Sequence, residues 1–153
     1  MVSIKASCEV HASVDKVWEI VSDVDNDPRY WNGISSIRNL RKEGNLIERE
    51  VKVGFMGNEG KQTIKLNPKE SIELTMTKGP LKGSRQMKLV SNNGSKTKLS
   101  VEWDFGFSGI PIFARGFVKS QIERTTREAL EKIASVAEGS STPSKVVFVS
   151  SSN

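Results

Sequence analysis

Apolar and polar positions alternate strictly over the first segment, VSIKASCEV. Val2, Ile4, Ala6, Cys8 and Val10 fall on one side, with Ser3, Lys5, Ser7 and Glu9 on the other. A period of two with one apolar side predicts a half-buried strand. The period then lengthens: Val14, Val17, Trp18, Val21 and Val24 recur at helical spacing in SVDKVWEIVSDV. Ser13 is placed to cap this helix, and Asp15 suits the positive end of its dipole. DNDPRYWNG breaks the pattern and turns the chain, with room for a second short helix.

From about residue 35 to 105 the chain returns to period two. LIEREVKV, GKQTIKLN, SIELTMTK, SRQMKLVS and KTKLSVEWDF each alternate, separated by the turn signals EGN, FMGN, NPKE, GPLKG and SNNGS. Short connections between neighbouring strands predict an antiparallel meander of about six strands. The last element covers roughly 113–137, where Val118, Ile122, Thr126, Ala129, Ile133 and Val136 form one apolar stripe. Charged residues hold most of the remainder, so this helix lays one face on something apolar. Gly139 suits its end. The serine-rich remainder, 139–153, reads as a flexible tail whose VVFV could pair weakly with an edge strand. No repeat or second domain is visible. The order predicts an α+β domain over 1–138, one curved antiparallel sheet wrapped around the long C-terminal helix.

Composition narrows the function without naming it. The chain has 153 residues, a net charge of +5, one cysteine and one histidine. No run of about 18 apolar residues offers a membrane span. MVSIKASCEV has no secretory apolar core, which predicts a cytoplasmic protein. One Cys and one His cannot assemble a usual zinc site, no P-loop is present, and no cofactor is expected. The glycines of GFMGNEG join two strands and read as a hairpin turn. His11, just past the first strand, reads as a surface residue, and Cys8, on the apolar phase, as a buried inert thiol. The positive charges are scattered along the chain, and no motif points to nucleic acid.

The chain resembles the START-related superfamily, nearest its polyketide cyclase/dehydrase and lipid-transport group. The resemblance rests on Val17-Trp18 in the first helix, the acidic loop Asp23 to Asp27, Trp31 about a dozen residues on, and the long amphipathic final helix. It spans roughly 2–138 and implies a helix-grip fold, a seven-stranded sheet gripping the last helix around an apolar cavity. It also implies a ligand among lipids, sterols, quinones, polyketides or hormones, and in some relatives cyclase activity or protein assembly. Fold alone does not choose among these.

Strand phase supplies candidate site residues. Arg49 shares a side with Ile47, Val51 and Val53; Gln62 with Ile64 and Leu66; Arg85 with Met87 and Leu89. Arg115 extends the helix stripe backwards from Val118 and Ile122. A buried charge is costly unless paired or solvated. A cavity, acidic partners or exposure at element ends would each satisfy these arginines, with exposure the plainer reading for Arg85 and Arg115. Leu74, Met76, Met87, Leu99, Val101, Trp103 and Phe105 are core residues that would also line a cavity. Trp18 and Trp31 read first as packing residues, and no inward-facing acid is apparent.

FSGIPIFARGF, residues 107–117, puts Phe107, Ile110, Ile112, Phe113 and Phe117 around Gly109, Pro111 and Arg115. Phe113 and Phe117 lie off the helical stripe. Either the helix starts late and the segment folds over the cavity mouth, or these side chains pack under the first helices. Three roles stay open for it: a gate, a peripheral membrane contact through Arg115 and Lys119, or a plug at one end of the core. The leading expectation is a non-catalytic binder or carrier of a small hydrophobic ligand. Its alternatives are an aromatase/cyclase-type enzyme, and an interaction module using the outer lysines Lys5, Lys52, Lys61, Lys65, Lys88 and Lys98.

Overall fold

A computed structural model describes residues 1–54, 58–140 and 144–149. Three residues of the expected FMGN turn, 55–57, lie outside the described residues. The elements run β1 (Val2–Val10), α1 (Val14–Val21), a 3-10 turn (Val24–Asn26), α2 (Asp27–Tyr30), β2 (Ile34–Glu43), β3 (Leu46–Val53) and β4 (Asn58–Asn67). They continue with β5 (Ser71–Lys78), β6 (Leu81–Asn92), β7 (Lys96–Phe107), α3 (Ile112–Glu138) and β8 (Val147–Val149). All strands join one sheet in the order β2-β3-β4-β5-β6-β7-β1-β8, every pairing antiparallel. The expected meander is β2 to β7, and β1 returns to lie beside β7. α3 packs on the sheet chiefly through β1 and β7, with α1 and α2 against it.

Three local features differ from the pattern reading. β2, ISSIRNLRKE, shows no clean alternation because it is an edge strand, mostly exposed and broken by two register shifts against β3. The expected GPLKG turn is shorter than its composition suggests. Gly79 takes φ 131°, and Leu81 is already the buried first residue of β6. An eighth strand extends the expected seven: Val147, Phe148 and Val149 pair with Ser7, Ala6 and Lys5. That pairing covers the side of β1 away from β7, whose backbone groups would otherwise form an open edge.

Local chemistry accounts for the helices. The Ser13 side chain accepts a hydrogen bond from the Lys16 N–H and caps α1, and Gly139 ends α3 in the left-handed conformation at φ 66°. α3 buries Val118, Ile122, Thr126, Ala129, Leu130, Ile133, Ala134 and Ala137 against Ile4, Ala6, Cys8 and Val10 of β1 and the inner residues of β7. It begins at Ile112, so the connection from β7 is only residues 108–111. Neither expected arrangement of FSGIPIFARGF holds. Phe113 is 90% exposed and Phe117 61%, on the first turns of the helix and away from the sheet. The physical reason is helical phase: the buried stripe starts at Val118, and Phe113 and Phe117 belong to the opposite arc.

Gly83 has the least room for a side chain of any glycine among the described residues. It has φ 148°, and a Cβ there would sit 2.0 Å from the Asp104 carbonyl oxygen on β7. Gly83→Ala must therefore separate β6 from β7. It should cost at least about 2–3 kcal/mol in urea unfolding; an unchanged midpoint would show that the two strands part without penalty.

Candidate functional site

The alternation of LIEREVKV turns Arg49 inward with Ile47 and Val51, and the side chain is fully buried. Each part of its guanidinium is occupied. Nη2 donates to Asp27 Oδ2 at 2.7 Å, Nη1 to the Val24 carbonyl at 2.9 Å, and Nε to Gln62 Oε1 at 3.0 Å. Gln62 is directly opposite on β4, while Val24 and Asp27 come from the 3-10 turn and α2. Arg49 therefore fastens the α1–β2 connection to the sheet. Asp27 is an inward acid that strand phase could not reveal, since it lies on a four-residue helix. Its signal was the acidic loop DVDND.

Arg85 is buried as well, opposite Trp103 in the β6–β7 register. Its guanidinium carbon lies 4.1 Å from the Trp31 ring centroid and 5.5 Å from that of Trp103. Its Nη2 is 4.0 Å from Asp27 Oδ2, an ion pair beyond hydrogen-bond reach. Among the described residues the Arg85 guanidinium makes no hydrogen bond. Burial pushes its pKa down to about 10, opposed by Asp27 and reinforced by Arg49, so it stays a cation at neutral pH. One carboxylate thus faces two buried guanidiniums, leaving a local excess of positive charge.

The neighbouring rings are held in place. Trp31 and Trp103 meet edge to face at 6.1 Å, and Trp103 Nε1 donates to Thr126 Oγ1 on α3 at 2.9 Å. Thr126 Oγ1 in turn donates to the Ile122 carbonyl at 2.7 Å. Between sheet and helix these groups line a half-open cavity of about 70 Å³. Arg85, Gln62, Trp31, Trp103, Met76, Leu81, Ile122 and Thr125 line it, with Gly33, Ile34 and Val53 completing the wall. A second cavity of about 40 Å³ shares Val53, Gln62, Met76 and Leu81 with the first. The lining is almost entirely apolar apart from Arg85, Gln62 and Thr125.

Five candidate residues, Gln62, Met76, Arg85, Trp103 and Ile122, meet at this cavity. Leu74, Met87, Leu99, Val101, Phe105 and Val118 are buried in the surrounding core, and Ile110 packs half-buried against it. Arg49 lies behind Gln62 with each of its three nitrogens bonded, and Arg115 is exposed, its Nε donating to the Ile110 carbonyl. Phe113 and Phe117 are far from the cavity wall in helical phase. Trp31, Leu81 and Thr125 enter the lining without having been singled out for it. Thr125 follows Ile122 by three residues and was available from that spacing.

The remaining candidates for chemistry are quiet. His11 is exposed. Burial first, then Glu138 and Glu131, push the Cys8 thiol up to about 12. The outer lysines are exposed, with Lys5 near Glu102 and Lys52 near Glu59. No group of three or more potential metal ligands occurs among the described residues.

Residues 1–138 match the family model described as polyketide cyclase/dehydrase and lipid transport. The chain belongs to this family. Solved structures with the same helix-grip fold include the Zhui aromatase/cyclase from a Streptomyces species, at 17% identity and TM-score 0.77, covering 90% of this chain and 93% of that one. A START superfamily protein from Mycobacterium smegmatis aligns at 20% identity and TM-score 0.70, covering 90% and 97%. A Thermus thermophilus protein aligns at 14% identity and TM-score 0.75, covering 92% and 100%. No curated protein matches the chain. Membership in this family supports a domain built to hold a hydrophobic small molecule, and at these identities the structures share the fold alone.

The two buried arginines should separate on mutation. Arg49→Met orphans Val24, Gln62 and part of Asp27 and should cost about 3–5 kcal/mol of unfolding free energy, whereas Arg85→Met, which breaks no hydrogen bond, should cost less than about 2 kcal/mol. Asp27→Leu combined with Arg49→Met should recover part of the first loss. Equal losses for the two arginines would overturn the distinction. Cys8 offers a second check. Its folded value is raised, so the neutral thiol's contribution to stability is complete below about pH 9 and fades as pH rises toward 12. Native protein should resist a thiol reagent at neutral pH and react once unfolded in urea.

Proposed function

We propose that this domain binds, and in that sense carries, a small hydrophobic molecule with an oxygen acceptor: a carbonyl, phenolate or carboxylate of a lipid, quinone or polyketide-like compound. The observation that carries this reading is Arg85, a buried cation bordering an apolar cavity with no hydrogen bond among the described residues. Buried donors are nearly always matched by an acceptor, and a charged donor rewards one most. Trp31 and Trp103 offer ring faces and edges to an apolar body, and Met76, Leu81 and Ile122 offer aliphatic walls.

At about 70 Å³ the cavity is smaller than the roughly 300 Å³ or more of an ordinary ligand pocket. The ligand therefore widens it on entry. Met76 and Leu81 stand between the two cavities, and an unbranched thioether is the side chain best able to move aside. Joining the two spaces would extend the site along the β4–β6 side of the sheet.

A cyclase reading is raised by the family's description, which names polyketide cyclases beside lipid transport. Proton transfer at carbon needs a positioned acid or base. In the larger cavity Arg85 is the one titratable residue of the described lining, and the smaller cavity adds Lys61 and Lys78. Asp27 is engaged by Arg49, so no acid is free to act. Binding therefore ranks ahead of turnover.

Titration with 1-naphthoate and with naphthalene, followed by tryptophan emission, tests the reading. Naphthoate should quench or shift emission in the parent, and Arg85→Met should weaken it about tenfold or more while leaving naphthalene nearly unchanged. Equal naphthoate affinity in the two proteins would remove Arg85 from the site.

A further inference from the structure

The outer arc of α3 changes character along its length. At about 100° per residue, Ile112, Phe113, Gly116, Phe117 and Ser120 fall on the side opposite Val118 and Ile122. That side carries no charge over the first two and a half turns, and then becomes Glu123, Arg124 and Arg127. Solvent-facing arcs are ordinarily polar, so the apolar start is the exception. Its side chains are not covered: Ile112 is 81% exposed, Phe113 90% and Phe117 61%. Phe113 and Phe117, four residues apart, stand side by side.

The charge around this patch is of one sign. From Phe105 to Ile122 the chain contains no Asp or Glu, while Arg115 and Lys119 are exposed on the flank between the apolar arc and the buried stripe. Arg115 is steadied there by its hydrogen bond to the Ile110 carbonyl and by the Phe107 ring 5.4 Å away. Three large apolar side chains on the outside of a helix end, with long cationic side chains beside them, match the layered chemistry of an anionic bilayer surface. Apolar groups enter the acyl boundary while Lys and Arg reach the headgroups.

We propose that the first turns of α3 form a docking surface for an anionic lipid membrane, with Ile112, Phe113 and Phe117 inserting and Arg115 and Lys119 contacting headgroups. A bilayer is favoured over a protein partner because the patch projects from a helix end, and lipid accepts such a projection without a matching groove. No helix of the described residues is long and apolar enough to cross a membrane, so the contact is peripheral. It is weak and reversible, since so small an apolar area is a marginal anchor by itself. Phe117 lies five residues, about 8 Å along the axis, from the cavity-lining Ile122. The docked protein would thus present the cavity end of α3 to the lipid. This surface stands apart from the Arg85 site, and its test uses no ligand.

Vesicles of phosphatidylcholine and phosphatidylserine in equal parts, sedimented with the full chain at low salt, provide the experiment. The parent should partition onto them at least about tenfold more than onto phosphatidylcholine alone. Phe113→Ser with Phe117→Ser should lose that binding about tenfold or more, and Arg115→Glu with Lys119→Glu should lose it while keeping the apolar groups. All four positions are exposed, and unchanged circular dichroism would verify that the variants are folded. Parent protein that stays in the supernatant, or Phe variants that still sediment, would overturn the proposal. So would a parent dimer that the Phe substitutions convert to monomer in light scattering, because a second copy would then cover the patch.

Discussion

A carboxylate between two buried guanidiniums is the constraint on which the cavity depends. Taking Arg49 out of water is tolerable only because Asp27, the Val24 carbonyl and Gln62 satisfy it together. Two of those three partners belong to the connection between α1 and β2, so the ion pair fixes that connection on the sheet. Trp31 follows Asp27 by four residues, its N–H bonded to the Asp27 carbonyl. The same turn that neutralises Arg49 therefore sets the ring that covers Arg85. Remove the pair, and one wall of the cavity loses its reason to be there.

Arg49 and Arg85 show how identical side chains at similar depth take different work. Arg49 has each nitrogen matched inside the protein and behaves as a bolt. Arg85 sits over aromatic faces, beside a carboxylate already committed elsewhere, and lines an apolar cavity. Aromatic contact and a distant ion pair make its charge tolerable without using its hydrogen-bonding capacity. A lone cation in an otherwise apolar lining is the kind of group that orients a ligand in hydrophobic sites, and the proposed binding role rests on it.

α3 likewise divides its labour by phase. One arc closes the core and reaches the cavity through Ile122 and Thr125; the opposite arc begins apolar and ends charged. A helix can serve cavity wall, core and surface at once because the three faces are separated by rotation alone. Strands cannot do this, having only two faces.

The strands, the first helix, the long helix and the antiparallel meander were legible because periods of two and 3.6 report directly which side of an element is buried. Arg49 and Gln62 were legible as inward residues for the same reason. β2 was not, since an exposed edge strand has no buried side to enforce a pattern, and the pairing of Val147–Val149 with β1 depends on which edge is left open. The fate of each arginine was also undecided by pattern. Phase says that a side chain points inward, but whether it meets an acid, a ring or a cavity depends on residues brought from elsewhere in the chain. Asp27 is 22 positions from Arg49, and Trp103 is 18 from Arg85. Sequence alone determined the elements that bury one side, and which side, because those follow from local geometry and hydrophobic burial. Tertiary structure alone decided which buried charge was spent on the fold and which was left at the wall of a small apolar cavity, because that depends on contacts between segments no local rule connects.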